Sequence, residues 1–284
     1  MPVSILTDSA ASLPKDITTA AAISVVPMWL TIGETSMHDG DLSLEEVLAR
    51  IDEGITTSAP TPGEFELALE EAGIDDGALV LTIAGTMSST VQSAHVAAQS
   101  LDPERVRVLD TGTAAGAEGL IVLAAADAAA RGQSLAEVEA VARRVASQVH
   151  LVATIADLDR LAKSGRVPDA AAWAGRWLGL QPMFEFRDGG AHALRPARSR
   201  AKALDRIFES WTRGAPGRSP GSADGSHVAA LHALSPEDAE GLLDRVQAAT
   251  CVAASFIGSF SPVMVAHTGP GLVGLAWWWD DTST

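Results

Sequence analysis

The chain has 284 residues, 47% of them hydrophobic, and a formal net charge of −16. It is long enough for one large domain or two ordinary ones with a buried core, and its composition excludes a disordered chain. The acidity argues against nucleic acid, whose phosphates need clustered Lys and Arg, and leaves at most transient membrane contact, because an anionic surface would repel it.

The opening Met-Pro-Val-Ser-Ile-Leu-Thr-Asp lacks the basic and apolar regions of a signal peptide, so a cytoplasmic protein is expected. Val3 to Leu6 reads as a first strand ending in Thr7-Asp8-Ser9, and Val25 to Ile32 is a second strand-like run. Glu64 to Ala72 has helical spacing after a proline-rich turn. Ala78 to Ile83 predicts a buried strand, followed by a polar loop and a helix from Thr90 to Ser100. Val106 to Leu109 predicts another strand, ending at Asp110-Thr111-Gly112. Helices are expected over roughly 115–130 and 134–149. Glu118 and Asp127 interrupt the first of these, which makes it a buried helix and not a membrane span. Strands alternating with helices predict a mostly parallel α/β sheet. Ligands of such sheets sit beyond the carboxyl ends of the strands, where the loops after Leu6, Ile83 and Leu109 fall.

From about residue 150 the pattern changes. Leu151 to Ile155 predicts a strand, and Leu158 to Ala162 a helix that stops at Ser164-Gly165. Pro182 to Phe186 and Ala191 to Pro196 flank Asp188-Gly189-Gly190, a hairpin signal. Arg198 to Thr212 is an amphipathic helix, and Gly214 to Ser226 a surface loop. His227 to Leu234 predicts a strand and Pro236 to Ala249 a helix capped by Ser235. The lone Cys251 excludes an internal disulfide and reads as a small core residue. Val252 to Ile257, Val263 to His267 and Gly274 to Trp279 read as closing strands. Alternation places Trp278 opposite Trp277 and Trp279, with one face either a contact surface or packed on helices. The expectation is an N-terminal α/β domain over 1–150 and a C-terminal α+β domain over 151–284 with a mainly antiparallel sheet.

Five hydroxyl- or glycine-rich segments can carry chemistry. They begin at Thr7, Thr57, Thr86, Lys163 and His267. Read as turns that open helices, they offer free N–H groups and a partial positive charge, and with Ser and Thr hydroxyls they suit an anion. Thr57, Ser58 and Ser88 therefore suit a carboxylate or phosphate, with plain N-capping as the alternative. His267, at a strand end before Gly-Pro-Gly, can hydrogen-bond an anion. Arg166, Arg198 and Arg200 suit forked contact with phosphate or carboxylate, or are simply solvated.

These segments carry a resemblance. Thr7-Asp8-Ser9-Ala10-Ala11-Ser12-Leu13-Pro14 resembles the T-D-S-x-x-D-L-P pattern of the DegV family, with Ser12 in place of an acid. Thr57 to Phe65 resembles T-S-Q-P-S-x-G-E-F, with Ala59 and Thr61 as changes. Thr86 to Ala94 resembles S-G-L-S-G-T-Y-Q-S-A, with Ser89 for a glycine and Ala84-Gly85 where Ser-Ser is common. Ser164-Gly165-Arg166-Val167 resembles G-G-R-I, and His267 to Gly271 resembles T-H-x-G-P-G. Leu194 to Leu204 resembles V-R-T-R-x-K-A-L, and Asp110-Thr111 fits a strand-end D-T. The matches keep the family's order over nearly the whole chain.

The resemblance implies a non-catalytic protein that binds one long-chain fatty acid in an apolar tunnel. It assigns the head group to Thr57, Ser58, Ser88, Ser89, His267, Thr268 and Gly269, and implies no cofactor beyond the bound lipid. A separate fatty acid kinase would phosphorylate the acid, with Arg166, Arg198 and Arg200 as candidates for partner or phosphoryl contact. Phe184, Phe186, Phe256 and Ile257 are candidates for the tail lining, with ordinary core as the alternative. A rival is a serine hydrolase using Ser88, His267 and Asp8, but Ser88 lacks a Gly-x-Ser-x-Gly elbow. A metal site on His38, Asp39 and His267 has no supporting ligand spacing. No G-x-G-x-x-G follows the first strand, which argues against a nicotinamide enzyme.

Overall fold

Strand β1 (Ser4–Asp8) runs into a single 3-10 turn (Ser9–Ala11), then α1 (Lys15–Ala20) and β2 (Ile23–Val26). The computed structural model describes residues 2–167, 169–176, 179–214, 225–250 and 252–280. Pro27 follows β2, and the expected single strand Val25 to Ile32 is broken there. Its second half is β3 (Trp29–Ile32), which belongs to a different sheet. Proline has no N–H to give a ladder, so the chain changes sheets at that residue.

Then come β4 (Thr35–His38), α2 (Leu44–Ala49), β5 (Ile55–Ser58), α3 (Pro62–Ala72), β6 (Ala78–Thr82), α4 (Thr90–Leu101), β7 (Val106–Asp110), α5 (Ala115–Ala130) and α6 (Leu135–Gln148). Strands β2-β1-β6-β7 form a fully parallel sheet, as the alternating pattern implied. The small antiparallel sheet β4-β3-β5 was not expected, because its outer strands are short and polar.

The remaining elements are β8 (His150–Thr154), α7 (Asp159–Ser164), α8 (Ala170–Arg176), β9 (Gln181–Arg187), β10 (Gly190–Ala197), α9 (Arg200–Arg213), β11 (Ser226–His232), α10 (Pro236–Ala249), β12 (Val252–Ser259), α11 (Pro262–Thr268) and β13 (Val273–Trp279). Their sheet has the order β10-β9-β8-β13-β11-β12 and is antiparallel except between β11 and β12. Two local expectations are corrected. Val263 to His267 is the helix α11, not a strand, because Ser261 stands at its N-cap and Pro262 opens it. Ser235 occupies the N-cap of α10, but its side chain makes no capping bond. Cys251 and most of the Gly214–Ser226 loop lie outside the described residues.

Apart from Glu118 and Asp127, helix α5 is apolar around its circumference, and it is buried between the two larger sheets. Its glycines permit the close approach. A Cβ on Gly116 would come within 2.8 Å of the Ala229 Cβ on β11, and one on Gly119 within 2.8 Å of the Ala11 carbonyl. The two faces of β13 fill two cores. Trp278 packs with α5 and Phe256, while Trp277 and Trp279 pack under α9 and α10. The tryptophan run is therefore packing, not an exposed contact face. No helix among the described residues is long and apolar enough to cross a membrane.

Candidate functional site

Thr57 lies on β5, opposite Leu30 of β3 in antiparallel register. It is half-buried, and Ser58 is exposed. The expectation that this segment opens a helix with its hydroxyls is corrected. The capping residue of α3 is Thr61, which accepts from Glu64 N–H while the Glu64 carboxylate accepts from Thr61 N–H. Thr57 and Ser58 are thereby left free of capping duty.

Ser88 lies in the loop from Ile83 to Ser89, between β6 and α4. Neighbouring strand ends shape this loop. Ala84 N–H donates to the Thr113 carbonyl at 2.8 Å, and Gly85 N–H to Asp110 Oδ2 at 3.0 Å. A Cβ at Gly85 would stand 2.8 Å from that same oxygen, so the glycine makes the contact possible. Ser88 Oγ lies 2.8 Å from Thr90 Oγ1 and accepts from Thr90 N–H at 3.3 Å. Ser89 holds the N-cap position of α4 without a side-chain bond.

His267 sits in the last turn of α11, not at a strand end. Its Nε2 is 2.7 Å from Thr57 Oγ1. Burial, with the Arg166 charge adding to it, pushes its pKa down to about 4, so the ring is neutral at pH 7. Thr268 Oγ1 donates to the Met264 carbonyl, and Gly269 ends the helix at φ 69° with its N–H on the Val265 carbonyl. The last segment therefore closes a helix instead of opening one.

These side chains border one cavity of about 340 Å³, lined by Thr57, Ser58, Ser88, Ser89, His267 and Thr268. Arg166 also lines it. That side chain is folded back, its Nη1 on the Ser164 carbonyl at 2.7 Å, and Ser164 Oγ accepts from Arg166 N–H at 3.2 Å. The rest of the wall is apolar and includes Leu151, Leu161, Phe184, Phe186, Phe260 and Leu272. Phe184 and Phe186 alternate with Met183, which faces the other core. Phe256 and Ile257 do not line this cavity. Phe256 packs beneath α5, and Ile257 packs in the second core.

Arg200 is already engaged. It pairs with Asp238 of α10 and donates to the Gly271 carbonyl at 2.8 Å. Arg198 is exposed and, like Arg200, does not line the cavity. Sequence reasoning missed Met87, Phe260 and Met264 in the wall, and α11 was misread because its apolar valines resemble strand. Asp8, Ser88 and His267 make no hydrogen bonds to one another, since Ser88 pairs with Thr90 and His267 with Thr57. His38 pairs with Glu64 at 2.9 Å, and the described residues hold no group of three metal-ligating side chains.

The model of the DegV family, described as "Uncharacterised protein, DegV family", matches residues 2–279. A DegV domain-containing protein from Mycobacterium tuberculosis is 31% identical over 282 residues, covering 97% of this chain and 96% of that one. A Thermus thermophilus structure described as fatty acid binding of a DegV family protein is 31% identical, with a TM-score of 0.88 over 98% of this chain and 100% of the other. A Thermotoga maritima structure described as a DegV lipid binding protein is 26% identical, with a TM-score of 0.86 over 100% of both chains.

Proposed function

The chain belongs to the DegV family, and from that premise we propose that it binds a single long-chain fatty acid. The observation that carries this reading is one cavity bordered both by an apolar wall and by the hydroxyls of Thr57 and Ser88 with the His267 imidazole. A fatty acid has matching halves. Each buried methylene contributes about 0.8 kcal/mol, before ordering costs. The tail supplies affinity and lies along Phe184 and Phe186. A buried carboxylate needs hydrogen-bond donors, which Thr57, Ser58, Ser88 and Ser89 offer, with the neutral His267 orienting Thr57, and with Thr268, its hydroxyl on the Met264 carbonyl, and Gly269 closing the helix behind it. The two related structures described as binding fatty acid or lipid support this reading.

The protein itself supplies no chemistry and no cofactor in this reading. It presents the carboxylate to a separate fatty acid kinase in the cytoplasm, which transfers a phosphoryl group from a nucleoside triphosphate to make the acyl phosphate. Arg166, at the cavity wall, and the exposed Arg198 are the contacts for that step. Arg200 is better placed to join α9 to α10. Residues 1–150 and 151–284 act as two domains, with the cavity between them.

Denaturing extraction of the purified protein with mass spectrometry tests the binding role. Near-stoichiometric fatty acid is expected. An empty extract, with no uptake of added palmitate or oleate, overturns it.

A further inference from the structure

The Thr7-Asp8-Ser9 segment lines no part of the cavity, yet its side chains, with Asp39 as a relay, reach the Ser88 loop, the strand beside that of Thr57 and the helix of His267. Asp8 is fully buried, and a buried carboxylate is costly unless hydrogen-bonded. Its Oδ1 accepts from Ala10 N–H at 2.9 Å, an ordinary local cap of the 3-10 turn. Capping does not explain its other oxygen. Oδ2 accepts from Ile83 N–H at 2.9 Å, a residue 75 positions away that lines the cavity and begins the Ser88 loop.

Ser9 makes two further ties. Its oxygen accepts from Met28 N–H at 3.1 Å, and its hydroxyl donates to Asp39 Oδ2 at 2.7 Å. The other Asp39 oxygen accepts from Val263 N–H at 3.1 Å. Met28 and Val263 also line the cavity. Met28 leads directly into β3, which pairs with the Thr57 strand, and Val263 lies in the first turn of α11, which carries His267. Three side chains therefore take the backbone N–H groups of three cavity-lining residues: one in the Ser88 loop, one at the start of the strand paired with that of Thr57, and one in the helix of His267.

We propose that Asp8 and Ser9, with Asp39, are positioning residues for the carboxylate end of the cavity, holding Ser88, Thr57 and His267 in mutual register without touching the ligand. This rests on the fatty-acid reading above. Both oxygens of Asp8 must accept, so Asp8→Asn replaces one acceptor with an amide donor facing an N–H. Ser9→Ala removes the hydroxyl that joins Met28 to Asp39, and Ser9→Thr keeps it.

The test uses the full chain and two probes with the same sixteen-carbon tail, palmitate and hexadecanol, with melting temperature recorded for each variant. A positioning role predicts that Asp8→Asn and Ser9→Ala each weaken palmitate by about tenfold or more while hexadecanol changes by less than about threefold, and that Ser9→Thr restores palmitate binding. Equal loss of both probes, which a merely structural role would give, overturns the proposal, as does unchanged palmitate affinity in both variants. If the unaltered protein takes up neither probe, the fatty-acid reading itself fails, and the proposal falls with it.

Discussion

Thr57 Oγ1 and His267 Nε2 lie 2.7 Å apart although 210 positions separate them in the chain. The bond joins the small antiparallel sheet to the helix that precedes β13. It also fixes what the histidine can offer. Burial first, and Arg166 second, bring its pKa to about 4, so at pH 7 it is a neutral ring with one N–H and one lone pair. Between about 4 and 6.5 the unfolded chain takes up a proton at this residue and the folded chain does not. Its contribution to stability is therefore complete above 6.5 and is lost as pH falls through about 4. NMR of the His267 ring nitrogens should report a neutral imidazole at pH 6. A midpoint near 6.5 would contradict the buried placement.

The same bond makes Thr57→Val informative, because valine keeps the shape and removes the hydroxyl. A hydrogen bond to a charged group contributes about 1.5–3 kcal/mol, so palmitate affinity should fall on the order of tenfold to a hundredfold. Displacement of a fluorescent fatty acid measures it. Unchanged affinity would take Thr57 out of the head-group site.

Ala191 of β10 pairs with Phe186 of β9, and both line the cavity. A larger side chain there should fill tail space without touching the hydroxyls. Ala191→Phe is expected to shift the preferred acid to a shorter chain, with total affinity for the best chain changed by less than about tenfold. A series of saturated acids of increasing length checks this. An unaltered length preference would mean the tail runs elsewhere.

The strongly patterned parts of the fold were legible in the sequence, and the parts set by tertiary context were not. β1 and β6 read correctly because each holds a short continuous apolar run closed by polar residues, and β7 because Val106, Val108 and Leu109 outweigh Arg107 before the Asp110-Thr111 stop. β4 and β5 did not, because Thr35–His38 and Ile55–Ser58 are polar and half-exposed, and only pairing with β3 makes them strands. In α11, the Val263 to Val265 stretch outweighed the Ser261-Pro262 start signal, although the capping residues pointed to a helix. The same limit applies at the site. Thr57, Ser88 and His267 could be singled out as hydroxyl or imidazole groups in unusual segments. No local pattern encodes that Thr57 meets His267 or that Asp8 reaches Ile83, since the first depends on how α11 packs on the small sheet and the second on β6 becoming the neighbour of β1.

Glu118 offers a test of how the two larger sheets enclose α5. It is fully buried in α5, Thr7 Oγ1 donates to its Oε1 at 3.2 Å, and its Oε2 has no hydrogen-bond partner among the described residues. Burial first, and the Asp8 charge second, raise its pKa well above the usual 4.5. The folded chain therefore keeps a proton that the unfolded chain releases above 4.5. Stability from this group is complete below that pH and declines as pH rises, because folding must then take the proton back. Glu118→Gln keeps Oε1 as the acceptor for Thr7 and has no proton to exchange. The variant should match the unaltered protein near pH 4.5 and gain on it toward pH 8, by on the order of 1 kcal/mol per pH unit at most. Urea unfolding at pH 5, 6.5 and 8 measures the difference. A gap that stays constant across this range would mean that Glu118 ionises as freely in the folded chain as in the unfolded one, and that α5 is not as tightly enclosed between the two sheets as its packing indicates.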